Sequence, residues 1–139
     1  MKLRIAGAFV AACGLACALA ACGGGNNATP SPPVTTPPTT PPGAVATTTI
    51  TIANNAVTPK DIVVPLGSQV TFVNNDNRSH DIESNPHPEH TDCPALAQVG
   101  FLNPGQSRQS GNLNVARICG FHDHSLAEVT SLQGSITIQ

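Results

Sequence analysis

Every histidine in the chain, five in all, falls between positions 80 and 124. His80 stands in Ser79-His80-Asp81-Ile82, and His87 and His90 stand in His87-Pro88-Glu89-His90-Thr91-Asp92-Cys93. His122 and His124 follow Cys119 in Cys119-Gly120-Phe121-His122-Asp123-His124. Imidazole is a borderline metal donor and thiolate a soft one, a combination suited to copper in either of its common oxidation states. Competing chemistries are poorly represented. No nucleophile–base pattern or phosphate loop is present, so the sequence does not read as an enzyme. With six Lys plus Arg in 139 residues there is no basic stripe to neutralise phosphates, which argues against a nucleic-acid partner.

The elements that must position these donors occupy only part of the chain. Lys2 and Arg4 precede an apolar run from Ile5 to Ala21, the layout of a secretory signal. Its end, Leu19-Ala20-Ala21-Cys22, resembles the lipobox of bacterial lipoproteins. That resemblance implies that residues 1–21 are removed and that Cys22 carries diacylglycerol as the new N-terminus, anchoring the protein in a membrane. The expected location is the bacterial envelope, facing the periplasm or the cell surface. Residues 22–46 have no hydrophobic periodicity. Gly23-Gly24-Gly25-Asn26-Asn27 is a flexible tether, and the Pro/Thr-rich stretch from Pro30 to Pro42 favours an extended polyproline spacer.

Residues 47–139 read as a single all-β domain. Thr48-Thr49-Ile50-Thr51-Ile52 alternates in the manner of a half-buried strand, and Asp61-Ile62-Val63-Val64 and Gln69-Val70-Thr71-Phe72-Val73 follow it. Asn74-Asn75-Asp76-Asn77 and Asn103-Pro104-Gly105 supply turns. Asn114-Val115-Ala116-Arg117-Ile118 and Ser135-Ile136-Thr137-Ile138 are further expected strands. An antiparallel sandwich buries such faces most economically. A domain this small is marginal by itself, so a metal or a disulfide would help it.

The segment from Val57 to Asp76, with Pro59, Val63, Gly67 and Val70-Thr71-Phe72-Val73-Asn74-Asn75-Asp76, followed by Ser79-His80-Asp81-Ile82, resembles the cupredoxins. Cys119-Gly120-Phe121-His122 is similar to the Cys-x-x-His of plastocyanin, and Leu132-Gln133-Gly134-Ser135-Ile136-Thr137-Ile138 to the family's last strand. The resemblance implies a cupredoxin-like Greek-key sandwich of about seven to eight strands, holding one copper ion through His80, Cys119 and His122. His124 is the alternative loop ligand if the azurin spacing Cys-x4-His-x3-Met applies. The axial Met of the family is missing, because the only Met is residue 1. Leu132 takes its place in one register and Glu128 in the other. Asp81, Glu83 and Asp123 read either as hydrogen-bond partners of the ligands or as solvated charges, and the solvated reading is the simpler. The implied function is one-electron transfer among redox proteins of the envelope, by a monomer.

Cys93 opens a second reading. After export the domain holds two thiols, Cys93 and Cys119, in a compartment where pairing is normal. A Cys93–Cys119 disulfide would remove the thiolate and leave any metal to the histidines. The function would then be copper binding or handling without redox turnover, or a purely structural sandwich.

Overall fold

A computed structural model describes residues 36–139. The signal segment 1–21 and Cys22 lie outside the described residues. Ten strands form: β1 Val45–Ala46, β2 Thr49–Ala53, β3 Ala56–Thr58, β4 Asp61–Val64, β5 Thr71–Asn74, β6 His80–Ser84, β7 Gly100–Leu102, β8 Ser107–Gln109, β9 Arg117–Asp123 and β10 Gly134–Ile138. They build two sheets, one of order β1-β4-β10-β9-β6-β7 and one of order β3-β2-β5-β8. The number exceeds the seven to eight expected because β1, β3, β7 and β8 are edge pieces of two or three residues. Pairing is also mixed. β4 runs parallel to both β1 and β10, and β2 parallel to β5, since the chain changes sheets between these strands. The edge strand β1 lies in the segment that composition assigned to the linker, where it pairs with Ile62 and Val63.

Alternation puts Ile50 and Ile52 of β2, Ile62 and Val64 of β4, and Phe72 of β5 into the space between the sheets. Phe72 meets Phe121 of the opposite sheet edge-to-face, with ring centroids 5.2 Å apart. That geometry suits the ring quadrupoles, and each such side chain contributes roughly 1.5–3 kcal/mol by leaving water. Phe121 also explains Gly134. A Cβ there would collide with the Lys60 carbonyl oxygen and reach 2.6 Å from Phe121 Cζ.

The main departure from expectation is β9. A strand was expected over 114–118, with Cys119 and His122 on the loop beyond it. The strand instead runs from Arg117 through Asp123, because it is paired on both sides. β10 takes residues 117–121, and β6 takes 121–123. Cys119, Phe121 and Asp123 therefore face inward, while Gly120 and His122 face outward.

Asp123 is not a solvated charge. It is fully buried, and its Oδ2 accepts a hydrogen bond from His80 Nδ1 at 2.6 Å. Its Oδ1 accepts from the Ser125 N–H at 2.9 Å, which caps the short 3₁₀ turn His124–Leu126. The far side of His80 faces Asp76, with Nε2 3.5 Å from Oδ2. Asp76 is held below the usual carboxylate range, first by the Asn55 N–H and then by the Asn77 N–H. This polar seam fastens β6 to β9 at the end of the sandwich.

Two variants test these contacts. Gly134→Ala is expected to cost about 1–3 kcal/mol in urea unfolding, as overpacking against an immobile ladder does. His80→Ala leaves Asp123 buried without its partner and is expected to cost about 3 kcal/mol by the same measurement.

Candidate metal centre

The loop after β6 begins with Asn85, whose N–H donates to the Gly120 carbonyl at 3.0 Å and whose carbonyl accepts from the Asp92 N–H at 2.8 Å. Between these anchors the chain turns back on itself. The His90 N–H donates to the Pro86 carbonyl at 2.7 Å, and Ser84 Oγ donates to the His90 carbonyl at 2.7 Å. The loop thereby lies over the outer face of β9. Its far end is tied by a Cys93–Cys119 disulfide with Cα atoms 5.7 Å apart, an ordinary span for that bond.

On that outer face four histidines converge. His87 and His90 come from the loop, His122 from β9 and His124 from the 3₁₀ turn that Asp123 caps. One ligand atom from each lies within 4.8 Å of all the others. The His87 and His90 rings each stand 4.9 Å from that of His124 and 5.3 Å from that of His122, centroid to centroid. His124 Nδ1 and His90 Nε2 are 3.1 Å apart. His87 and His124 are exposed, His90 is half-buried and His122 is buried.

Burial pushes the His122 imidazole below the ordinary histidine value, and any positive charge on His90, His87 or His124 pushes it further. Both effects favour its neutral form, which has a lone pair to offer. Its Nδ1 is engaged with Asn85 Oδ1 at 2.8 Å, while its buried Nε2 has no hydrogen-bond partner. A buried, unpartnered imidazole nitrogen beside three other imidazoles is a donor arrangement that a borderline divalent or monovalent transition ion satisfies.

The residues expected from sequence are distributed differently. His80 is tied to Asp123 and stands apart from the four-histidine group. Cys119 is in the disulfide, so its sulfur is not a thiolate in this state. Cys119 and His122 are three residues apart on one strand, which sends their side chains to opposite faces. Leu132 is fully buried among the core side chains, and Glu128 is exposed. His122 and His124, weighed as alternatives, occur together in one cluster. His87 and His90 were visible as donors on one loop, but their partnership with His122 and His124 was not. Asn85 and Gly120 gave no signal in the sequence that bears on a metal.

No protein-family model matches the sequence, and no curated protein matches it. Solved structures do. The purple cupredoxin from Nitrosopumilus maritimus superposes with a TM-score of 0.51 at 18% identity, covering 67% of this chain and 100% of that one. A mutant plastocyanin of a fern gives 0.52 at 16% identity, covering 66% and 99%. A reduced Cu(I) form of an amicyanin mutant gives 0.50 at 16%, covering 70% and 83%. At such identities the likeness concerns the path of the backbone. The chain folds as a cupredoxin-like β-sandwich.

Proposed function

We propose that this protein is a copper-binding module of the bacterial envelope, holding one ion on His87, His90, His122 and His124. The observation that carries the reading is the convergence of the His87, His90, His122 and His124 imidazoles, His122 holding a buried Nε2 without a hydrogen-bond partner among the described residues. Four neutral nitrogen donors suit several first-row ions, and among divalent ones copper binds such donors most tightly. The cupredoxin-like fold, shared with a Cu(I) form of amicyanin, supports the same metal. Bound copper would supply a centre able to take up or release one electron. The chain's own part is to hold the four imidazoles together, oriented and open to solvent on one side. Through the lipid on Cys22 and the spacer of residues 22–46, the module would be tethered to a membrane within reach of envelope partners.

Copper holding and exchange accommodates the Cys93–Cys119 disulfide, which occupies the sulfur that a blue copper centre needs. One-electron transfer with envelope redox proteins is the second reading. It is supported by the fold and by the exposed rings of His87 and His124, which bring the cluster to the surface.

The purified protein is expected to show no free thiol before reduction. It should bind one equivalent of cupric ion with only the weak visible absorption of imidazole ligation. Replacing His87, His90 or His124 by Ala should each weaken binding at least about tenfold, which is about 1.4 kcal/mol. His80→Ala should leave the affinity unchanged. An intense visible band, abolished by Cys119→Ser, would instead establish a copper thiolate. A reversible one-electron couple in voltammetry would favour the second reading.

Acidification has a defined sign. His122 is depressed in the folded chain relative to the ordinary value near 6.5, so the unfolded chain binds its proton more readily. The metal-free protein is therefore expected to lose stability as pH falls below that value, and denaturant midpoints measured against pH check it. Cys22→Ser should yield an unprocessed precursor without lipid label.

A further inference from the structure

The placement of Asn85 has no explanation in the fold alone. Its backbone is already fixed at both ends, by Gly120 on one side and Asp92 on the other. Its side chain lies across Gly120. A Cβ at position 120 would collide with the Asn85 Nδ2 atom and sit 2.9 Å from Cγ and 3.3 Å from Cβ. The missing side chain at 120 is thus a notch that seats the carboxamide. From that seat Oδ1 reaches His122 Nδ1 at 2.8 Å. A carbonyl oxygen only accepts, so His122 must carry its proton on Nδ1, and the lone pair is left on Nε2.

We propose that Asn85, seated on Gly120, is a positioning residue for the metal, locking His122 in the tautomer that presents Nε2 to the ion. The proposal rests on the four-imidazole reading. Three features of the chain make this more than packing. First, His122 Nε2 is buried without a partner among the described residues, so the lock directs the lone pair to a place where none of them satisfies it. Second, His122 is the most buried of the four rings, hence the one least able to correct its tautomer by exchange with water. Third, the acceptor is a neutral amide. Its carbonyl oxygen fixes the ring by accepting the Nδ1 proton. Glu83, which lies directly opposite His122 on β6, leaves that role to Asn85, since the Nδ1 partner is the amide. Ligand orientation by such a partner is worth about 10–100-fold in metal affinity.

The test uses the full protein, its metal-free form for tautomers and cupric ion for affinity. Two-bond proton–nitrogen correlation spectra of the metal-free wild type should show His122 with its proton on Nδ1. Asn85→Ala should move it toward the Nε2–H form and lower copper affinity about 10–100-fold. Asn85→Asp, which keeps the acceptor, should retain the tautomer and most of the affinity. Gly120→Ala should reproduce the Asn85→Ala loss by unseating the amide, and the double variant should be no worse than either single one. Unchanged affinity or tautomer in Asn85→Ala overturns the proposal, as does equal loss in Asn85→Asp and Asn85→Ala, which would mark a role in packing. Wild-type protein that binds no copper refutes the four-imidazole reading and the proposal with it. Copper bound at the four histidines with full affinity in Asn85→Ala refutes the positioning role alone.

Discussion

The arrangement of this domain depends on the two-sided ladder of β9. Because β10 holds Arg117–Phe121 and β6 holds Phe121–Asp123, the strand cannot end at Cys119. Side chains of a paired strand point alternately to its two faces, with Cys119, Phe121 and Asp123 buried on the inner one. Inward go the disulfide sulfur, the ring that meets Phe72 and the carboxylate that holds His80. Outward go Gly120 and His122, under the loop that carries His87 and His90. The core and the candidate metal centre are two faces of one strand.

That division changes the meaning of the sulfur. Cys119 contributes to the interior as one end of a covalent tie, closing the 26-residue interval back to Cys93. The tie fastens the loop's far end to the strand beneath it, while the Asn85 N–H, donating to the Gly120 carbonyl, fastens its near end. A turn made of His, Pro and acidic residues has little apolar surface with which to hold itself down. Here both its ends are attached to β9, and the two loop histidines are placed over His122 and His124 as a result.

Much of the fold was legible because period-two alternation is a local signal. Ile50 and Ile52, Ile62 and Val64, and the run Ser135–Ile138 all form strands near their expected positions, and the two-sheet architecture follows from them. The site was less legible, for a physical reason. Cys119-Gly120-Phe121-His122 contains a glycine and a mixed polar–apolar pattern, which reads locally as a loop. Only the neighbouring strands, distant in sequence, make it a strand. Once it is one, the three-residue spacing that suggested a shared ligand pair becomes the spacing that separates the two side chains. Asp123 was misread for the same reason, since a charge beside two histidines looks solvated until the inward face is assigned. The donor inventory itself was visible: all four clustered histidines stood out, but their grouping depends on β6–β9 register.

The outward position of the histidines also uncouples metal from fold. In small domains where the ligands hold the core together, metal affinity is folding free energy, and removal of the ion unfolds the chain. Here Phe72, Phe121, Ile62 and Ile136 are buried on the other side of the sheet from His122, and the disulfide secures the loop without help from an ion. Loading and unloading would therefore leave the sandwich intact. A protein loaded in this way would surrender its ion and persist, a reusable vessel rather than a structure that an ion completes.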